Sequence, residues 1–317
     1  MIPCISGRIL SLVLAVEGGV ICMGVGSVQA QEPQLHLFEH EVVTETAAPN
    51  IRVATSNDST LITWDPDANE GFRVWTPGER FRIGAKSEGA VGASFSDGTL
   101  MVITGEPPAV TSYTRSARLT DRVPLASVGR VSKAVFSDGL WYLLSSRSNG
   151  RMTLWGLSLS KERPERLFLI ARLESPEPLS EYHMHPADKG VLVTSAFYPF
   201  EGAWYTPFGS RGDALAPPLP IPSSWAAPPQ RGQSNGWISL PILPLDVGHV
   251  QVLSDLRSDH RVVVTYGSGG GHRSTRSVQA PWGLVASLRK LRMLVGARDL
   301  GGRHQIVLYE WRWSGDP

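Results

Sequence analysis

The stretch Glu181-Tyr182-His183-Met184-His185-Pro186 sets a carboxylate and two imidazoles at alternate positions. Side chains of a strand alternate between faces, so Glu181, His183 and His185 share one face, and a His-x-His pair with a carboxylate can hold a divalent metal. A second candidate is Asp65-Pro66-Asp67-Ala68-Asn69-Glu70-Gly71, where Asp65, Asp67 and Asn69 are spaced as the oxygen ligands of a calcium loop are. Glu70 stands where such loops need glycine and no acid stands at the twelfth position, so a polar hairpin explains the same residues. A divalent metal at one of these clusters is the only cofactor the sequence offers. The glycine-rich run Gly267 to Ser277 lacks the Gly-Lys-Ser/Thr of a phosphate loop and reads as a hairpin. Arg211-Gly212-Asp213 reads as a turn.

The elements that must position these groups are strands. Short apolar runs rich in Val, Leu, Ile, Thr and aromatics alternate with Gly, Asn, Asp and Ser turns along most of the chain. Two stretches, Gly92 to Glu106 and Lys133 to Arg147, repeat one phrase, Phe-Ser-Asp-Gly between apolar runs. Asp58, Asp97 and Asp138 therefore read as turn formers. Inner strands beginning near Ile51, Ala90, Val131, Glu181, Gln233 and Trp282 recur every 40 to 50 residues, the period of a four-stranded propeller blade. The fold expected is all-β, a six-bladed β-propeller of four-stranded antiparallel blades. The last unit has three convincing strands, and an orphan strand, Gln34 to Val43, can complete it and remove two free edges. Residues 284–298 read as two strands turning near Arg289, with a helix as the rival. Aligned on the turns, His185 falls at the place of Phe95 and Phe136, and His183 at that of Ala93 and Ala134. That register makes them structural histidines packed between blades.

The segment "AVFSDGLWYLLSSRSNGRMTLWGLSLSKERPERLFL" resembles a WD40 repeat over its whole length, and "STLITWDPDANEGFRVWTPGERFRIG" is similar, with Val74-Trp75 in the place of Leu154-Trp155. Gly156 and Thr76 replace the Asp of the family's Trp-Asp pair and no blade carries its Gly-His dipeptide, so the resemblance implies the fold and no activity. Residues 80–106 look like the opening of sialidases, also six-bladed, where an Arg in Phe-Arg-Ile-Pro precedes an Asp-Gly-Thr-Leu turn. That resemblance implies that Arg82 grips a substrate carboxylate and that the protein is a glycan hydrolase or lyase with its site at the axis. Gly84 stands in place of the Pro, and the blade register sets Arg82 on an outermost strand.

Residues 214–247 carry eight prolines together with Trp225 and Trp237. They read as a Pro-rich insertion between blades four and five, either packed along the propeller by its tryptophans or offering them to a partner. At the N-terminus, Arg8 precedes the apolar run Ile9 to Val16, and small residues at Val28 and Ala30 suit cleavage before Gln31. Residues 1–30 thus read as a signal peptide and 31–317 as the propeller. Cys4 and Cys22 both lie within that signal, which leaves the mature chain without a disulfide, a thiolate metal site or a catalytic cysteine. A formal charge of +1 on 317 residues, with no long basic run, argues against nucleic acid. The expectation is an exported, monomeric bacterial protein of the periplasm or exterior, with no membrane span after signal cleavage. It would act as a non-enzymatic binding or scaffolding module for protein or carbohydrate.

Overall fold

Asp97-Gly98 joins Ser96 to Thr99 and Asp138-Gly139 joins Ser137 to Leu140, each as a two-residue turn with both residues at positive φ (51° and 74°, 50° and 77°). This is the turn whose twist matches that of the paired strands, and Asp and Gly are the residues that tolerate it. Asn57 and Asp58 take the same left-handed region (φ 55° and 58°) in the connection from Ser56 to Thr60. The strands behind these turns read as continuous apolar runs because they are covered on both faces: Thr60–Trp64 is buried at every position. The outer strand Leu119–Pro124 is exposed along nearly all of its length.

The computed structural model describes residues 34–47, 50–146, 152–159, 166–173, 182–187, 189–196, 202–207, 209–214, 237–255, 260–267, 272–279 and 282–314. These residues form six antiparallel sheets, each a meander from the axis outward. The innermost strands are Arg52–Ser56, Ala90–Ser96, Arg130–Ser137, Tyr182–Ala187, the broken pair Trp237–Ser239 and Leu243–Pro244, and Trp282–Leu288. We number the blades one to six in that order. Residues 284–298 are strands turning through the 3-10 segment Arg289–Leu291. Among the described residues no helix is long and apolar enough to cross a membrane.

Blade six takes its outermost strand from the other end of the chain, as expected. Leu35–Thr46 pairs with His304–Trp313, from Leu35 opposite Trp313 to Thr46 opposite His304. Arg298 reaches Glu39 at 2.9 Å, Arg303 reaches Glu45 at 3.0 Å, and Gln305 Nε2 donates to Glu45 at 2.9 Å. The Pro-rich insertion is shorter than expected at its C-terminal end. Residues from Trp237 onward belong to blade five, with Ile242, Leu243 and Leu245 buried in the core.

The core is a set of wedges between neighbouring blades. Ile62 and Phe72 meet Ala93 and Leu100 between blades one and two, and Ile103 meets Val131 and Trp141 between two and three. Tyr142 meets Val191 between three and four, Leu192 meets Ile242 between four and five, and Val250 meets Leu294 and Trp311 between five and six. Leu61 and Trp75 meet Leu288 and Val295 where the ring closes. Close approach needs glycine: a Cβ on Gly92 would lie 2.4 Å from the Ala134 carbonyl oxygen of the next blade. Gly156, in the position where the WD40 pair has Asp, instead leaves room for the Phe168 ring, 2.3 Å from where its Cβ would stand. The substitution Gly92→Ala is expected to cost about 1–3 kcal/mol by overpacking. Gly84→Ala, where nothing lies within 4 Å of the added carbon, should change stability by less than about 0.5 kcal/mol. Urea titration of both variants checks the pair, and equal losses would contradict the close approach.

Candidate functional site

The inner turns of blades one, three, four and six gather at one end of the axis around a depression of about 350 Å³. The meander fixes this, because each innermost strand runs toward that end before turning. Asp58, Asp138, Lys189, Arg289 and Lys290 line the depression, with Phe136 exposing part of its ring. Arg289 is committed: its guanidinium meets the Asp58 carboxylate at 2.5 Å, and Lys290 N–H donates to the Asp58 carbonyl at 3.2 Å. Asp58 thus forms its turn, as expected, and also joins blade one to blade six. Lys189 occupies the place filled by Gly98 and Gly139 in blades two and three, with φ 58°. Among the described residues, Lys189, Lys290 and Asp138 enter no ion pair. Ser137, of the repeated phrase, donates from its hydroxyl to the Ala187 carbonyl at 2.9 Å and so locks the turns of blades three and four together. Tyr142 is pushed up to about 12, first by burial and then by the charge of Asp138.

His185 lies in the core close to this mouth. Its Nε2 accepts from Ser287 N–H at 2.9 Å, which fixes the tautomer, so that Nδ1–H donates to the Pro186 carbonyl at 2.7 Å. Blade five lies between His185 and Ser287 in the ring, so this bond ties blade four to blade six. With 3% of its surface exposed, His185 is held down to about 4. Burial is the largest cause; the Pro186 hydrogen bond and Asp58 oppose it, and Arg289 and His249 add to it. A larger groove, about 410 Å³, lies at the rim between blades six and one, but its Glu41 carboxylate is already taken by Trp75 Nε1 at 2.9 Å and by Arg80.

The residues singled out in the sequence are scattered. Glu181 and Trp225 lie outside the described residues. His183 is half-buried on the same strand as His185. His185 has both nitrogens engaged, which leaves it no lone pair for a metal, and no cluster of three His, Cys, Asp or Glu converges among the described residues. The register differs by one residue from the expected one. Ala187 pairs with Gly190 as Ser96 pairs with Thr99, so Pro186, rather than His185, takes the place of Phe95 and Phe136. Such a slip exchanges faces.

Asp65 accepts from the Asp67 N–H at 2.9 Å, and Asp67 accepts from Asn50 Nδ2 at 2.5 Å, while Asn69 is exposed. The loop is held by Ser87, which donates to the Ala68 carbonyl at 2.6 Å, and by Gly89 N–H on the Pro66 carbonyl at 3.1 Å, so these oxygens serve a pinned hairpin. Arg82 is exposed on the outermost strand Glu79–Ile83, away from the axis, and donates to the Glu70 carbonyl at 2.6 Å. Trp237 is 4% exposed and packs on Leu253, Val262 and Tyr266, which removes it as a contact for a partner. Arg211-Gly212-Asp213 lies in the strand Gly209–Ala214 rather than in a turn. The mouth residues Lys189 and Lys290 were missed, although Ala-Asp-Lys-Gly standing where other blades have Ser-Asp-Gly was a signal.

Between pH 6.5 and about 4 the unfolded chain binds a proton at His185 that the folded chain refuses. His185 therefore costs no stability above about pH 6.5, and withdraws up to ~3 kcal/mol as pH falls through that window. The variant His185→Gln, which can still accept from Ser287 N–H, is expected to lose that part of the slope. Chemical denaturation of both proteins across the window gives the comparison, and parallel curves would refute the assignment.

No protein-family model matches the chain, and no curated protein matches it. Among solved structures, a member of the DUF4221 family from Bacteroides vulgatus aligns with TM-score 0.58 at 7% identity, covering 89% of this chain and 99% of that one. A structural genomics protein of unknown function from Bacteroides thetaiotaomicron gives 0.51 at 12%, covering 89% and 77%. The β-propeller domain of Cps50 (Swd1) from Myceliophteria thermophila gives 0.47 at 10%, covering 87% and 99%. Likeness at such identities concerns the fold alone. The chain is a six-bladed propeller of antiparallel blades, and its chemistry has to be read from its own residues.

Proposed function

We propose that the protein is an exported propeller that binds a protein or carbohydrate group at the axial mouth and performs no reaction on it. The observation that carries this reading is the division of labour around the mouth. Groups suited to acid–base work are spent on structure: Asp58 is paired with Arg289, and His185 is hydrogen-bonded through both nitrogens. Groups suited to recognition, Asp138, Lys189 and Lys290, enter no ion pair among the described residues and stand on short turns held by rigid strands. Preorganised polar groups around a small concavity favour capture, because little ordering has to be done on binding. The N-terminal Arg8, the run Ile9 to Val16 and the small residues before Gln31 support export to a bacterial periplasm or exterior. The reading needs no cofactor and no second copy of the chain.

Two measurements test it. The full chain expressed in a bacterial host should be recovered outside the cytoplasm with its N-terminus at Gln31, by terminal sequencing. The exported protein, presented to glycan and peptide arrays, should retain a ligand whose affinity falls about tenfold in Asp138→Gly, the loss of one charge-assisted hydrogen bond. Glycine keeps the left-handed turn at that position. A ligand that binds both proteins equally places recognition elsewhere, and turnover of a captured ligand would overturn the non-enzymatic reading.

A further inference from the structure

We infer that the ligand of this mouth is an anionic saccharide, its carboxylate or sulfate held by Lys189 and Lys290 while its ring rests against Phe136. This rests on the proposed use of the mouth for binding. With Asp58 and Arg289 neutralising each other, the described residues of the mouth set two ammoniums, Lys189 and Lys290, against one carboxylate, Asp138; Asp188, beside Lys189 in the sequence, lies outside the described residues. Neither ammonium is neutralised by an ion pair among the described residues. The first of them is placed at a cost. The left-handed position that glycine fills in blades two and three is given to Lys189 in blade four, at φ 58°, and side chains other than glycine, Asn and Asp are strained there.

The remaining lining narrows the class. About 350 Å³ is at the small end of ligand sites and suits a single ring or two. Phe136, half-buried and packed against Trp141 at 5.3 Å between centroids, offers a fixed apolar surface to the C–H face of a ring. Asn57 and Asp138 bring oxygen acceptors for hydroxyls. An acidic peptide would use the two lysines and leave these features idle. Among the described residues the one guanidinium that lines the mouth, that of Arg289, is bound to Asp58, so the cations left there are ammoniums, point charges that accept a planar carboxylate or a tetrahedral sulfate.

The test is calorimetric titration of the full exported protein at low ionic strength with a uronate disaccharide, a sulfated disaccharide, their neutral counterpart, inorganic sulfate and a glutamate-rich peptide. One of the two anionic disaccharides should bind about tenfold or more above the neutral one, and the preference between them identifies the anion. Lys189→Gly should weaken that binding about tenfold with a melting temperature unchanged or raised, since glycine relieves the turn; Lys290→Ala should weaken it similarly. Raising the salt should weaken binding further. If the neutral disaccharide binds equally well and the lysine variants bind as the parent does, the anionic inference fails while binding at the mouth stands. Inorganic sulfate matching the disaccharides overturns the saccharide, and the peptide binding in their place overturns it too. If no probe binds and the arrays find no ligand sensitive to Asp138→Gly, the underlying reading fails with it.

Discussion

Every blade has to reverse direction beside the axis within the width of two strands, and that constraint governs the rest of the molecule. Strands lie about 4.8 Å apart, so the connection is short, two to four residues, and in each blade it includes a residue at positive φ. Asp97-Gly98, Asp138-Gly139 and Asn57-Asp58 meet the requirement with residues chosen for backbone conformation. The composition of the axial mouth is thus largely a by-product of turn chemistry, which stocks it with Asp, Asn, Ser and Gly. Function is then to be sought where a blade departs from that chemistry. Lys189 departs in blade four, and the 3-10 segment Arg289–Leu291 departs in blade six by turning through basic residues.

The same end of the axis carries ring closure, so structure and recognition have to share residues. Blade six is held to blade one by the apolar wedge around Leu61, Trp75 and Leu308, and at the mouth by Asp58 with Arg289. That pair is about one-fifth exposed on either side, a setting in which removing one partner leaves the other poorly solvated. Its charges reach His185, where Asp58 raises and Arg289 lowers the pKa. Asp58 and Arg289 therefore serve as scaffold, while Asp138, Lys189 and Lys290 can change without disturbing closure.

The fold was legible because period-two runs, Asp-Gly turns and the spacing of inner strands are local properties, and each agrees with the ring. Even the closing strand showed itself as an orphan with nowhere else to pair. The site was not legible in the same way. Its members, from Asp58 to Lys290, meet only after the ring closes. His185 is a structural histidine, as the sequence favoured, but its partners lie on the backbone of Pro186 and, two blades on, of Ser287, and its register was displaced by one residue because Ala187-Asp188-Lys189-Gly190 lacks the Asp-Gly pair that fixes register elsewhere. Of the two readings of Trp237 the packed one holds, yet proline-rich sequence looks like loop, and what its tryptophan packs on shows only once the strand it belongs to is known.

That strand shows how an innermost position tolerates what an interior strand does not. Leu243–Pro244 pairs with His249 and Val250 on one side only, because its other edge faces the axis. A strand with one partner can lose the N–H of Pro241 or Pro244 without breaking a ladder. The carbonyls remain, and the ring uses them: Ser287 Oγ donates to the Pro244 carbonyl at 2.7 Å, and the Leu240 N–H, just before the break, donates to Val252 at 2.9 Å. Contacts with blade four complete the repair, through Ser239 N–H on the Ala196 carbonyl at 2.8 Å and Ile242 N–H on Thr194 Oγ1 at 3.4 Å. The Ser287 N–H, bordering the broken strand, goes to His185. A buried neutral histidine beside the mouth is thereby accounted for by backbone arithmetic: it accepts from an N–H that lies next to a proline-interrupted strand, and a protonated ring could not.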